Sequence, residues 1–126
     1  MITTTCMQPV DVVVERLKGA IAALSMGLVA HINGQANAAK KGLRVSADQI
    51  LEVFRPDFAV RVWAADKRAG LDIPIRYHVY EEGGLTHVSY RSPSAIFAPY
   101  GNPQLDALGR ELDGIFSEIF ARIQAT

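Results

Sequence analysis

Residues 73–91 read IPIRYHVYEEGGLTHVSYR and decide the architecture of this 126-residue chain. Two runs of β-forming residues flank Gly83-Gly84, and a two-residue hairpin loop favours glycines because its backbone needs positive φ. Counting outward from that loop gives the cross-strand register. The predicted pairs are Glu82–Leu85, Tyr80–His87, His78–Ser89 and Arg76–Arg91.

The side chains of this hairpin alternate between two faces. One face is largely aromatic and β-branched and is predicted to pack against helices. It carries Ile75, Tyr77, Val79, Thr86, Val88 and Tyr90. The other face is polar and holds every residue that we predict to bind a ligand. These are Arg76, His78, Tyr80, His87 and Arg91.

The predicted pairing of Arg76 with Arg91 needs an explanation, because like charges directly opposite each other destabilise a sheet. An anion, a carboxylate from elsewhere in the chain or a second subunit can compensate. Three interpretations follow: a solvated face, a homodimer interface, or a ligand or catalytic site. We expect a dimeric binding module for a small anionic or polar ligand. The alternative is an enzyme that uses His78, Tyr80 or His87 for proton transfer, since these groups titrate or donate near neutral pH.

Three further strands are predicted at 2–6, 28–32 and 50–54. A first helix is predicted from Pro9 and a short one at 35–41, capped by Asn33. The segment 57–67 is ambiguous, because Val60, Val62 and Trp63 favour a strand while its alanines and the Pro56-Asp57 start favour a helix. We predict a helix there. The apolar residues of 95–101 either seal one end of the core or line a groove beside the hairpin.

The last helix is capped by Asn102 and opened by Pro103. Its apolar residues recur at helical spacing and form one continuous stripe. They are Leu105, Leu108, Leu112, Ile115, Phe116, Ile119 and Ile123. The element order is therefore β-α-β-α-β-α-β-β-α. It predicts an α+β two-layer sandwich with a mixed sheet of about five strands and helices on one face.

Composition excludes several classes of protein. The chain has 13 basic and 13 acidic residues, and this balance lacks the basic excess of a nucleic-acid binder. Its 49% hydrophobic content favours one globular domain over 1–126 rather than disorder. The most apolar stretch, 19–32, is too short and too interrupted to span a membrane. With one cysteine, Cys6, and no signal-peptide pattern at the N-terminus, we expect a cytoplasmic protein.

No motif in the sequence predicts a metal or a cofactor. His31, His78 and His87 lack close metal-ligand spacing, and no cysteine pair accompanies them. His31 is predicted to be a hydrogen-bonded strand histidine. No P-loop, G-x-G-x-x-G or G-x-S-x-G sequence occurs, so nucleotide hydrolysis, dinucleotide chemistry and serine acyl transfer lack their usual motifs.

An ordered set of short segments resembles a known family. The segments are GLVAHIN at 27–33, ANAAKKGL at 36–43, GLDIPI at 70–75, VYE at 79–81, VSY at 88–90 and Pro93. Together they resemble the DUF302 domain, whose structural type is the TT1751-like fold, over nearly the whole chain. The resemblance implies an α+β domain and a homodimer, without an established activity or cofactor, and it supports the helix at 57–67.

The sequence departs from the pattern of this family in two places. Ile32-Asn33 stands where the family usually has Ile-Asp, which removes a carboxylate. After the third strand the family typically reads Phe-Gly-Asn-Pro with Gly-Thr soon after, whereas this chain has FRPDFAVR at 54–61. Arg55 and Arg61 replace small or neutral groups there, so a ligand of that loop in the family is in doubt for this chain.

Overall fold

The computed structural model describes residues 1–124 and is built on a five-stranded sheet. The strands are β1 (Ile2–Cys6), β2 (Gly27–Asn33), β3 (Asp48–Phe54), β4 (Ile75–Glu82) and β5 (Leu85–Tyr90). Their order across the sheet is β1-β5-β4-β3-β2. The predicted α+β class and the strand number are confirmed.

Every neighbouring pair of strands is antiparallel, so the prediction of a mixed sheet was wrong. The connection 55–74 shows the reason. Val53 pairs with Ile75, so this helical connection leaves and re-enters the sheet at the same end. The chain therefore runs back antiparallel beside β3, whereas a crossover helix that returns to the opposite end gives a parallel pair. Local sequence patterns carry no information on this choice.

The helices are α1 (Val10–Ala23), α2 (Gly34–Ala39), α3 (Pro56–Ala65), α4 (Pro93–Phe97) and α5 (Pro103–Gln124). Two 3-10 turns lie at Lys67–Asp72 and Ala98–Tyr100. The ambiguous segment 57–67 is helical as predicted as far as Ala65, with Pro56 in the first turn, and Asp66 is extended. Among residues 1–124, no helix combines the length and apolar composition that crossing a bilayer requires.

The core lies between α1, α5 and one face of the sheet, which we call the covered face. All six side chains predicted for this face of the hairpin are buried. The hydroxyl of Tyr77 donates to the carbonyl oxygen of Phe116 at 2.8 Å, and the two rings stack 5.7 Å apart. Burial raises the pKa of Tyr77, so its hydroxyl stays neutral and acts as a donor.

Gly109 allows α4 to lie against α5. A Cβ atom at this position would sit 2.8 Å from the Cα atom of Ser94, closer than packed atoms approach. The backbone N–H of Ser94 also donates to Asp113 at 3.0 Å. These contacts fix the position of α4 relative to α5.

The hairpin has the predicted register from Glu82–Leu85 to His78–Ser89. Gly83 and Gly84 have φ values of 62° and 77°, which explains why glycine occupies both loop positions. The prediction of a paired Arg76 and Arg91 needs correction. The ladder ends at Tyr77–Tyr90, and β5 stops there, so the two arginines lie just beyond the last pair.

Candidate functional site

The other face of the sheet, which we call the open face, presents its side chains in three cross-strand rows. Strand pairing defines the rows, about 6.6 Å apart because each is separated from the next by two residues. Two rows cross β5, β4 and β3; they are Ser89, His78 and Ile50, then His87, Tyr80 and Asp48. In the third row Arg76 pairs with Glu52 of β3, and Arg91 lies just beyond the end of β5. All five predicted site residues therefore lie on one surface.

Arg76 and Arg91 are exposed and lack partners in the part of the chain that the structure describes. Neither side chain forms a hydrogen bond, an ion pair or a ring contact there, although Glu52 lies opposite Arg76 on β3. Four other arginines each contact a carboxylate, at 2.7–3.3 Å; they are Arg55, Arg61, Arg68 and Arg122. The open face thus carries guanidinium groups with unused donors.

An aspartate that the sequence analysis missed orients one of the histidines. The Nε2 atom of His78 lies 2.8 Å from the Oδ1 atom of Asp48, so Nε2 is the donor and Nδ1 is left to accept a proton. The predicted strand 50–54 is shorter than β3 and leaves Asp48 outside. Alternation backward from Ile50 places residue 48 on the same face, and that was the signal available.

The three aromatic rings of the open face form a column. His78 stacks on Tyr80 with centroids 4.6 Å apart, and Tyr80 stacks on His87 at 5.0 Å. His87 also donates from Nε2 to the carbonyl oxygen of Glu82 at 3.0 Å, which ties it to the hairpin loop. This stacking restrains the orientation of the His78 and Tyr80 rings.

A cavity of about 360 Å³ opens beside this column. Four of the five predicted site residues line the cavity, namely Arg76, His78, Tyr80 and Arg91. Ser89 lines it as well. His87 does not line it. The hydroxyl of Ser89 lies 3.1 Å from the hydroxyl of Thr3, and this hydrogen bond links β5 to β1.

Residues from outside β4 and β5 complete the cavity. Met1, Ile50, Pro74 and Ile96 add apolar surface, and Asp72 adds a carboxylate. Asp72 accepts a hydrogen bond from the hydroxyl of Tyr100, and this bond raises the pKa of Tyr100. Both alternatives for the segment 95–101 are therefore realised, because Phe97 is fully buried in the core while Ile96 lines the cavity.

His31 belongs to a separate hydrogen-bonded chain. Its Nε2 atom lies 2.6 Å from Oε1 of the buried Gln49, whose Nε2 donates to Asp11 at 2.9 Å. These contacts connect β2, β3 and α1, and the prediction of a hydrogen-bonded strand histidine is confirmed. Within residues 1–124, no group of three or more histidine, cysteine or acidic residues is arranged to hold a metal ion.

Both departures from the family pattern have structural roles outside the cavity. The side chain of Asn33 accepts from the backbone N–H of Ala36 at 2.9 Å and caps α2, a role in which Asn and Asp are equivalent. Arg55 bonds Asp57 at 2.7 Å, and Arg61 bonds Glu111 at 2.7 Å. Neither arginine lines the cavity.

Comparisons with known proteins agree with this fold. The family model described as "Domain of unknown function DUF302" matches residues 2–123. The crystal structure of an uncharacterized conserved DUF302 protein from Bacillus stearothermophilus aligns with a TM-score of 0.87 and 22% sequence identity. The alignment covers 97% of this chain and 96% of that chain, which shows a shared fold. A search of curated proteins finds no match.

Proposed function

The chain belongs to the DUF302 family of domains of unknown function, and on the chemistry of its open face we propose that it is a binding module for a small anionic or polar ligand. The observation that carries this proposal is the pair of unpartnered arginines, Arg76 and Arg91, at a cavity of about 360 Å³. Cavities of roughly 300–1,000 Å³ are the usual size of small-molecule sites. Guanidinium groups with unused donors bind carboxylates and phosphates in a planar, bidentate geometry.

Thermal unfolding in a panel of anions tests this proposal. At constant ionic strength, acetate, hexanoate, phosphate or sulfate should raise the melting temperature with increasing concentration, because a ligand that binds the folded state stabilises it. Arg76→Gln and Arg91→Gln should each remove that response.

Arg110→Gln is the matched control, since Arg110 is an exposed arginine of α5 that does not line the cavity. It should respond to anions as the unmodified protein does. An anion response that survives in both cavity variants would overturn the proposed site.

The hydrogen bond between Asp48 and His78 favours a second candidate, an enzyme that transfers a proton at this site. A carboxylate on Nε2 fixes the tautomer and the ring orientation, and it leaves Nδ1 as the proton acceptor. Tyr80, stacked on His78, supplies a phenol beside it. His87 is less suited, because its Nε2 is engaged with the Glu82 carbonyl and it lies outside the cavity.

Hydrogen–deuterium exchange tests the second candidate. Pyruvate in D₂O should lose its methyl proton signal faster with the protein than in buffer, and both His78→Ala and Asp48→Asn should slow that loss. Exchange at the buffer rate with the unmodified protein would exclude this reaction and leave the binding proposal in place.

The homodimer remains a proposal, which the free edge of β2 supports. An exposed edge strand can pair with the edge of another chain, and natural edge strands usually prevent this with charged residues, proline or a bulge. Residues 27–33 contain no proline and no Asp, Glu, Lys or Arg, and the side chains of Leu28, Val29 and Ile32 are exposed. The one such feature of β2 is a bulge at Val29. No β2 residue lines the cavity, so a second copy paired along β2 leaves the ligand site open.

Light scattering with one charged substitution tests the dimer. Val29→Lys should convert a dimer to a monomer, because it places a charge in the proposed interface. Val60→Lys on α3 is the control, since the exposed fractions of Val29 and Val60 are 59% and 58%. An unmodified chain that is monomeric at high concentration would remove the proposal.

A further inference from the structure

We infer that the ligand of the cavity is an organic monocarboxylate with a short apolar body. This inference rests on the proposed function and narrows it from any small anion to one chemical class. Its grounds are the charge of the lining, the division of the lining into polar and apolar parts, and the cavity volume.

The charged side chains of the lining favour an anion. Arg76 and Arg91 are basic and Asp72 is acidic. The carboxylate of Asp72 already accepts the Tyr100 hydroxyl, whereas both guanidinium groups have unused donors. A ligand carboxylate fits the planar, bidentate donor geometry of a guanidinium group.

The apolar part of the lining favours a ligand with a hydrocarbon body. Ile50 and Ile96 are partly buried isoleucines that line the cavity, and Pro74 adds further apolar surface. Ile50 lies opposite His78, one row inward from the arginines. A carboxylate held at the arginine row can therefore extend an alkyl group over the isoleucines.

The volume is sufficient for a short hydrocarbon body. A cavity of 360 Å³ corresponds to about twelve water molecules at roughly 30 Å³ each. It holds a short acyl chain or a single ring. Each methylene that leaves water on binding strengthens the affinity about fourfold, so a chain of several carbons gives a large and measurable effect.

Isothermal titration calorimetry with acetate, hexanoate and inorganic phosphate tests the inference. We expect hexanoate to bind at least about tenfold more tightly than acetate, since even half of its four extra methylenes supply that factor. Phosphate should bind more weakly than hexanoate. Arg91→Gln should abolish the binding of all three ions.

A matched pair of truncations locates the apolar contact. Ile96→Ala should weaken hexanoate binding severalfold and leave acetate unchanged, because acetate has no chain to contact Ile96. Ile115→Ala is the control, since Ile115 is also a half-buried isoleucine packed on the core but lies outside the cavity. It should change neither affinity.

The outcomes separate this inference from the proposed function. If phosphate binds as tightly as hexanoate, or acetate does, and Arg91→Gln still abolishes binding, the anion site stands and the monocarboxylate inference is overturned. If Ile96→Ala and Ile115→Ala weaken hexanoate binding equally, the inference is likewise overturned. If no anion binds, or if binding ignores Arg91, the proposed function falls with it.

Discussion

The covered face and the open face of the sheet consist of alternate residues of the same strands, yet they differ in how their polar groups are used. Tyr77 is fully buried and its hydroxyl is bonded to Phe116, while the next residue, His78, has 41% of its side chain exposed. Within residues 1–124, every buried side-chain polar atom has a hydrogen-bond partner. On the open face, Arg76 and Arg91 have none. The covered face therefore uses its polar groups to stabilise the fold, whereas the open face leaves two guanidinium groups with unused donors.

The largest expected effect comes from the covered face. Phe116→Ala removes a fully buried ring that stacks on Tyr77, and it should lower the free energy of unfolding by about 3–5 kcal/mol. Urea denaturation measures this change. A loss below about 1 kcal/mol would mean that neighbouring core side chains fill the space left by the ring. It would contradict the conclusion that the covered face carries most of the stability.

A smaller effect is expected at the start of α5. The side chain of Asn102 accepts from the backbone N–H groups of Gln104 and Leu105 and donates to the carbonyl oxygen of Ala65. Asn102→Ala should therefore lower the free energy of unfolding by about 1–2 kcal/mol. Asn37→Ala, at an exposed position within α2, is the control and should change it little. Equal losses in the two variants would contradict the capping role.

The ion pair between Arg61 and Glu111 should give a still smaller effect that depends on pH. The hydrogen bond from Arg61 lowers the pKa of Glu111 below its usual value of 4.5. A carboxyl with a depressed pKa in the folded state stabilises the protein above its unfolded-state pKa, and this contribution disappears as the pH falls through the folded-state pKa. The melting-temperature difference between the unmodified protein and Arg61→Gln should thus be present at pH 7 and shrink below about pH 4.5. A constant difference would exclude this linkage.

The smallest effect on stability is expected on the open face. Arg76→Gln and Arg91→Gln should each change the free energy of unfolding by no more than about 0.5 kcal/mol, because neither side chain has a partner to lose. Removing one of two neighbouring like charges can even stabilise the fold slightly. A loss of several kcal/mol in either variant would show that the open face also supports the fold, and the separation of the two faces would fail.

Local signals in the sequence were sufficient for the hairpin and for α5. Gly83-Gly84 fixes a register by simple counting, and the apolar stripe that follows Pro103 permits only one buried helix face. Strand direction was not predictable in this way, because the path of residues 55–74 depends on packing rather than on local preference. The antiparallel sheet was therefore found only in the structure.

The candidate site was predicted only in part, because local patterns identify the residues of the hairpin but not those that packing brings to it. Alternation along the hairpin places its five polar residues on one face without any knowledge of the rest of the fold. Asp48 was missed because aspartate has a low strand propensity, and its place at the start of β3 depends on pairing with Tyr80. Asp72 and Ile96 reach the cavity from segments remote in sequence, and only tertiary packing brings them there.

The bare α-carbon of Gly109 acts on the cavity from a distance. A methyl group at this position would push on the backbone of Ser94, and the rigid turn of α4 would carry that displacement two residues along to Ile96. The position of Ile96 in the cavity wall thus depends on a residue of α5 that does not itself line the cavity.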